Sequence, residues 1–340
     1  MDSGGIAAAI IPARTSRIGA GRASNLLPNG KSPDDRLSSR HEKQTGSMNT
    51  QRAHSSEFRL LVTPLVLFLL VFLGFPAIVN LIYSISDVSF ETLRQPRITG
   101  LSNFAAVWND SAFWQASWFS LRFGVLTALL ECGLGLFLAI FLSPLIERRS
   151  WLMAILMLPL MVAPALVGLM YRLVLHEFAG PVPYYLWAWF GASFSFLGPT
   201  SAFWTLIVVE TLQWTPFALL LFYMAYRAIP TEIVEASAMD GARRWHLLWF
   251  IELPLMAPTI VVALLIRFID GFRVFDNVYV LTGSGPGGST ASLSIYIYEA
   301  FFKQGAIGKA VAASVILFAV SFAVLYGLNL IASRRKGAVK

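Results

Sequence analysis

From Leu60 to about Ile82 the chain runs without one charged side chain. A helix needs roughly 20 such residues to cross the hydrocarbon core of a bilayer, and helices and closed barrels are the folds that satisfy every backbone group there. Five more apolar segments follow, at about Trp118–Leu142, Trp151–Leu175, Ala202–Tyr226, Leu255–Leu281 and Ile307–Ile331. Pro64 and Pro76 do not exclude the first span, because proline is more frequent in membrane helices than in soluble ones. Charged residues make up 13% of the chain, against about 25% in soluble domains. The expected fold is all-α, a polytopic membrane protein with about six transmembrane helices.

The formal charge of +7 does not point to nucleic acid, because Lys and Arg cluster in the N-terminal tail and in short loops between apolar runs. Positive residues are retained on the cytoplasmic side of a membrane. With the N-terminus inside, Arg148, Arg149, Arg227, Arg243, Arg244 and the Arg334–Lys336 cluster fall on that side, while the opposite loops hold Arg94, Arg97 and Lys303. Six spans with both termini cytoplasmic satisfy this bias. Residues 1–56 are polar, lack an apolar period and are expected to be a disordered cytoplasmic tail; they contain no secretory h-region. Met48 is a candidate for the true start. The membrane domain is assigned to residues 57–336. Cys132 stands alone inside an apolar run and offers neither a disulfide framework nor a metal cluster.

Between the fourth and fifth spans, at about 227–254, lies a polar loop that reads as structure: AIPTEIVEASAMDGARRWHLLWFIELPLMAP. Pro230 and Thr231 can start a helix with Thr231 as its cap, Glu232 and Glu235 near the positive end of its dipole, Gly241 a sharp change of direction, and Pro254 the end of the second half. The stretch resembles the EAA loop of ABC importer permeases: Glu235, Ala236, Gly241, Ile251, Leu253 and Pro254 fall at the pattern's spacing, Ser237 stands where the family usually has Ala, and Asp240 and Ala242 complete the accompanying Asp-Gly-Ala. In that family the loop forms two short helices seated in a cleft of the cytoplasmic ATPase. The alternative is an interfacial loop whose Trp245 and Trp249 lie among lipid headgroups.

Further segments resemble the carbohydrate branch of these permeases. Trp214, Pro216 and Phe217 match one of them, and RFIDGFRVFDNVYVLTGSGPGG matches another, with Ser284 in place of the usual middle Gly. The resemblance implies a type I importer permease that pairs with a second permease subunit, two ATP-binding subunits and an extracytoplasmic solute-binding protein. It implies a sugar-like substrate and an address in the bacterial inner membrane. ATP and Mg would reside on the partner ATPase, with no cofactor on this chain.

Arg267, Asp270, Arg273 and Asp276 recur every three residues in the fifth span, and ionisable groups in a membrane face the bundle interior, a partner or water. Two readings stay open. Asp270, Arg273, Asp276, Asn277 and Tyr279 line a path for a polyhydroxylated solute, or the stripe is a structural ion-pair ladder. Glu131 and Glu210 are protonated, pore-lining, or paired with an arginine such as Arg122 or Arg172. The aromatic-rich segment PVPYYLWAWFGASFSFLGP is expected along the outer interface. The sequence holds no G-x-x-x-x-G-K-[ST], no H-E-x-x-H, no nucleophile elbow and no Cys/His cluster, so neither catalytic nor metal-binding residues are assigned. The rival reading is an ion-coupled secondary carrier of a small polar solute, in which the charged stripe carries the coupling ion; such carriers commonly show internal repeats, and none is evident.

Overall fold

In a computed structural model, the protein is described for residues 62–191 and 194–337; the tail assigned to 1–56, and Met48, lie outside the described residues. The chain divides into one unit ending at Val71 and a second beginning at Phe72. The described part of the first is the exposed, apolar start of helix α1 (Val62–Ser84). All later elements belong to the second unit.

The helical expectation holds. Among the described residues the exception is a two-residue antiparallel ribbon, β1 (Ser86–Asp87) with β2 (Arg97–Ile98). After it come α2 (Ser102–Trp108), α3 (Ser111–Arg148), α4 (Trp151–Met157), α5 (Pro164–Val174), α6 (Pro181–Phe190), α7 (Ala202–Arg227) and α8 (Thr231–Met239). The chain then continues through α9 (Arg244–Leu247), α10 (Leu253–Phe272), α11 (Asp276–Thr282), α12 (Leu293–Tyr298) and α13 (Ile307–Gly337). Among the described residues five helices are long and apolar enough to cross a membrane, or up to six if a bent pair counts as one span.

That pair corrects the third span. Pro159 lies at the start of a tight 3-10 turn (Leu158–Met161), and Pro164 opens α5 after an extended Val162 and Ala163, so Trp151–Met161 and Pro164–Val174 meet at 85°. Proline lacks the N–H a continuing helix needs, and the span is broken rather than straight. The second span is longer than expected, at 38 residues, because Asp110 caps it, accepting a hydrogen bond from the Ala112 N–H.

The fifth span is corrected twice. Pro254 does not end the loop's second half; a π-helical turn at Leu248–Glu252 joins α9 to α10, and the helix continues through Pro254. At the other end the expected single helix breaks at Arg273–Phe275 before α11 starts. Half of the aromatic outer segment is likewise a helix, α6, with Tyr184, Trp187, Trp189 and Phe190 exposed.

The bundle centres on α3, which packs along α7 and α10. Lipid is as apolar as leucine, so such helices associate by close packing of small residues. A Cβ built on Gly124 would stand 2.8 Å from the Phe272 nitrogen, and one on Gly271 would stand 2.9 Å from the Gly124 Cα. The α3–α10 crossing is therefore glycine against glycine. Phe119, Phe123, Leu206, Ile207, Val278 and Ile295 fill the layer beside it.

Candidate functional site

Two polar arrangements stand out on this frame, a chamber at the break in the fifth span and the loop between α7 and α10. The chamber is a cavity of about 510 Å³ lined by Pro164, Glu210, Trp214, Arg267, Asp270, Arg273, Val274, Phe275, Asp276 and Asn277. Its depth is set by Arg267 and Glu131, which are 1% and 0% exposed: Arg267 Nε donates to Glu131 Oε2 at 2.6 Å. The guanidinium also lies 4.3 Å from the Trp214 ring centroid and 5.7 Å from that of Phe217. The pairing partners expected for Glu131 are thus corrected. Arg122 sits over the rings of Trp118 and Phe203, and Arg172 donates to the Val280 carbonyl.

Asp270 bridges two arginines, accepting from Arg267 Nη1 at 3.3 Å and from Arg273 Nη2 at 2.9 Å. The ladder spans three of the four charges. The break at Arg273–Phe275 turns Asp276 out of it, onto an exposed position at the chamber wall. Asn277 is buried and donates through Nδ2 to Glu210 Oε2 and Gln213 Oε1, both at 2.7 Å; Gln213 in turn donates to the Val162 carbonyl in the break of the third span. Glu210 is therefore held by an amide rather than an arginine. Tyr279 is not among the residues lining this chamber; its ring stacks at 5.0 Å on Phe275, which is, and meets Tyr298 at 5.1 Å.

Gln213 is a member of this cluster that the sequence reading missed. Its signal was weak, one uncharged amide in an apolar run. A second cavity of about 470 Å³ lies behind the broken span, walled by Val162, Met170, Val174, Val209 and Leu212. Its apolar wall suits lipid tails or a packed helix better than a hydrated solute.

The loop folds from its own sequence. Helix α8 begins at Thr231, which is its first helical residue and not its cap; extended Pro230 takes the cap position. Its other end is closed by the backbone. Asp240 is the last partly helical residue, Gly241 has φ +75°, the Gly241 N–H donates to the Ala238 carbonyl at 3.1 Å, and the Ala242 N–H to the Ser237 carbonyl at 3.0 Å. This is a Schellman cap, in which the residue after the C-cap takes a left-handed conformation that glycine adopts most readily. Nothing lies within 4 Å of a Cβ built on Gly241, so its conformation, not crowding, calls for glycine.

Ser237 is buried, and its hydroxyl donates to the Val234 carbonyl, so the departure from Ala leaves no orphan donor. Glu235, Ala236, Asp240, Gly241 and Ala242 are exposed, as is Pro254, while Ile251 and Leu253 are half-buried. The exposed residues other than Pro254 therefore share α8 and its turn, and half-buried Ile251 and Leu253 lie against the bundle. Arg227 pairs with Glu147, tying the adjoining end of α7 to that of α3.

Residues 131–337 match the family model described as "Binding-protein-dependent transport system inner membrane component". The chain belongs to that family. It is an integral membrane component of a binding-protein-dependent transport system. Over 271 residues, 78% of this chain and 91% of the relative, it is 32% identical to the trehalose/maltose transport system permease protein MalF of Thermococcus litoralis. It is 29% identical over 273 residues to the sn-glycerol-3-phosphate transport system permease protein UgpA of Agrobacterium fabrum, covering 78% and 90% of the two chains. A solved bacterial ABC transporter involved in import of the acidic polysaccharide alginate has the same fold, with a TM-score of 0.74, 22% identity, and 85% of this chain and 99% of that chain covered.

Proposed function

We propose that this permease carries a sugar or related polyol inward across the cytoplasmic membrane, driven by ATP hydrolysed on separate subunits. A solute-binding protein delivers the solute to the outer face, a second permease completes the channel, and two ATPases grip the loops at the opposite face. Both termini and the loop at 227–254 then lie in the cytoplasm, as the positive-inside rule asks. The observation that carries the reading is the loop itself. A helix closed by a Schellman cap, then a helix running without interruption from Arg244 into the fifth span, transmits force as a bent rod, which a flexible linker does not.

In this reading Glu235, Ala236, Ser237, Asp240, Gly241, Ala242, Ile251, Leu253 and Pro254 form or support the docking elbow. The substrate path runs through the chamber past Asp270, Arg273 and Asp276. The carboxylates and guanidinium there, with the Trp214 face, suit a ligand that offers both hydroxyls and C–H faces. Asn277 acts from behind, holding Glu210. No catalytic group is assigned to this chain. The test is uptake of radiolabelled disaccharides by liposomes containing the complex purified on this chain, with its binding protein outside and ion gradients collapsed by ionophores. ATP-dependent uptake is expected; uptake that stops with the gradients and ignores ATP would establish a secondary carrier.

A further inference from the structure

Glu252 is 1% exposed at the end of the π-helical turn. It shares a buried stripe with Leu248 and Met256, one turn before and one turn after it. A carboxylate held there against its desolvation cost needs partners. Its Oε1 accepts from Arg244 Nη1 at 2.6 Å and from the Tyr226 hydroxyl at 3.1 Å, and Arg244 Nη2 donates to that same hydroxyl at 2.8 Å. The triangle joins the end of the fourth span to two points, eight residues apart, on the continuous helix that runs from Arg244 into the fifth span.

The two donors converge on one oxygen, while Glu252 Oε2 is buried without a partner among the described residues. A contact selected for strength alone would use both oxygens in a bidentate fork with Arg244. A junction of two donors at a single oxygen fixes instead how the end of α7 is oriented against that helix. The neighbouring Arg227–Glu147 pair is half exposed and joins α7 to α3, so it leaves α9 unattached.

We infer that Glu252, acting through Arg244 and Tyr226, is a positioning residue that clamps the helix running from α9 into the fifth span to the end of the fourth span, so that loop and spans move as one body. This rests on the coupling role proposed for the loop. Without the clasp, nucleotide would still move the loop, and the spans would lag.

The experiment places spin labels at His246 in α9 and at Met224 in α7, both exposed, in the full complex purified on this chain. The distance between them is read without nucleotide and with ATP–vanadate. With the clasp intact the distance is single and the same in both states. In Glu252→Gln and Tyr226→Phe it becomes nucleotide-dependent, with a second population in the vanadate state. Tyr226→Phe keeps the ring and its packing, so it decides the matter if Glu252→Gln assembles poorly. A distance that stays fixed in both variants, or that already shifts with nucleotide when the clasp is intact, overturns the inference. A purified complex that contains no nucleotide-hydrolysing subunit overturns the coupling reading itself, and is seen before any label is read.

Discussion

Arg267 in α10 and Glu131 in α3 form an ion pair at 2.6 Å with neither side chain reaching the surface, and the Trp214 ring closes over the guanidinium. Glu131 Oε1 and Arg267 Nη2 lack partners among the described residues, and loss of Glu131 leaves Arg267 only the longer 3.3 Å contact to Asp270. Removing one charge from a buried pair costs about 3–5 kcal/mol, whereas replacing both with well-packed groups is far milder. Glu131→Ala and Arg267→Ala should each cut the amount of folded protein in the membrane severely. The double change Glu131→Gln with Arg267→Met should recover most of it, measured by thermal melting in detergent. Single variants that melt like the parent would show that the pair contributes nothing.

Gly241 requires its left-handed conformation and not its small volume. A β-branched residue there should cost about 1–2 kcal/mol and fray the end of α8, whereas Asn, which tolerates that conformation, should cost less. Gly241→Val is therefore expected to reduce transport at normal membrane abundance, with Gly241→Asn intermediate. Equal losses for the two would point to steric exclusion at a docking surface instead.

Asp276 stands exposed at the chamber wall, outside the arginine ladder that holds Asp270. Asp276→Asn should change the rate or selectivity of uptake without altering abundance, while Tyr279→Phe, whose ring stacks on Phe275 and is not itself in the chamber lining, should leave selectivity unchanged. Competition among unlabelled sugars against a labelled disaccharide checks both. A loss of abundance alone for Asp276→Asn would return that residue to a structural role.

Much of this architecture was legible in the sequence, because a bilayer leaves an apolar segment few choices. The spans starting near Ala202 and Ile307 were read to within a residue or two at that end, and the loop's elbow was read from Gly241. What escaped reading was local or long-range. Pro159 and Pro164 break the third span although each alone is common in membrane helices, and whether such prolines kink or break a helix depends on what packs beside them. Glu131 was offered Arg122 or Arg172, since sequence gives the depth of a charge but not its rotation about the helix. Arg267 lies at a comparable depth in its own span, which was the usable signal. Pro254 looked like a terminator because sequence does not reveal the π-helical turn after which the helix continues through it.

Away from the membrane-spanning segments, Asp110 caps α3 and accepts from Lys309 Nζ at 2.6 Å and the Tyr296 hydroxyl at 2.8 Å. Burial pushes its carboxyl up, but the bonds from Lys309, Tyr296 and the Ala112 N–H outweigh burial and hold it below its ordinary value. A carboxyl depressed by folding stabilises above its unfolded value and loses that contribution as pH falls through the folded one. The contribution of Asp110 should therefore be constant from neutral pH down to about pH 4 and decline below that. Melting curves of the parent and Asp110→Asn should differ by a fixed amount between pH 8 and 5 and converge in acid, on the order expected for a lost cap. A difference that shrinks between pH 8 and 6 would contradict the assignment.

The most direct measurement is made at Ala236, an exposed residue of α8. Cys132 is the chain's one cysteine and is buried, so Ala236→Cys supplies a single accessible thiol. In intact cells it should resist a membrane-impermeant thiol reagent, react once the cytoplasmic face is opened, and crosslink in the purified complex to an ATP-binding subunit. Labelling from outside the cell, or a complex in which that thiol crosslinks to no nucleotide-binding subunit, would contradict the account.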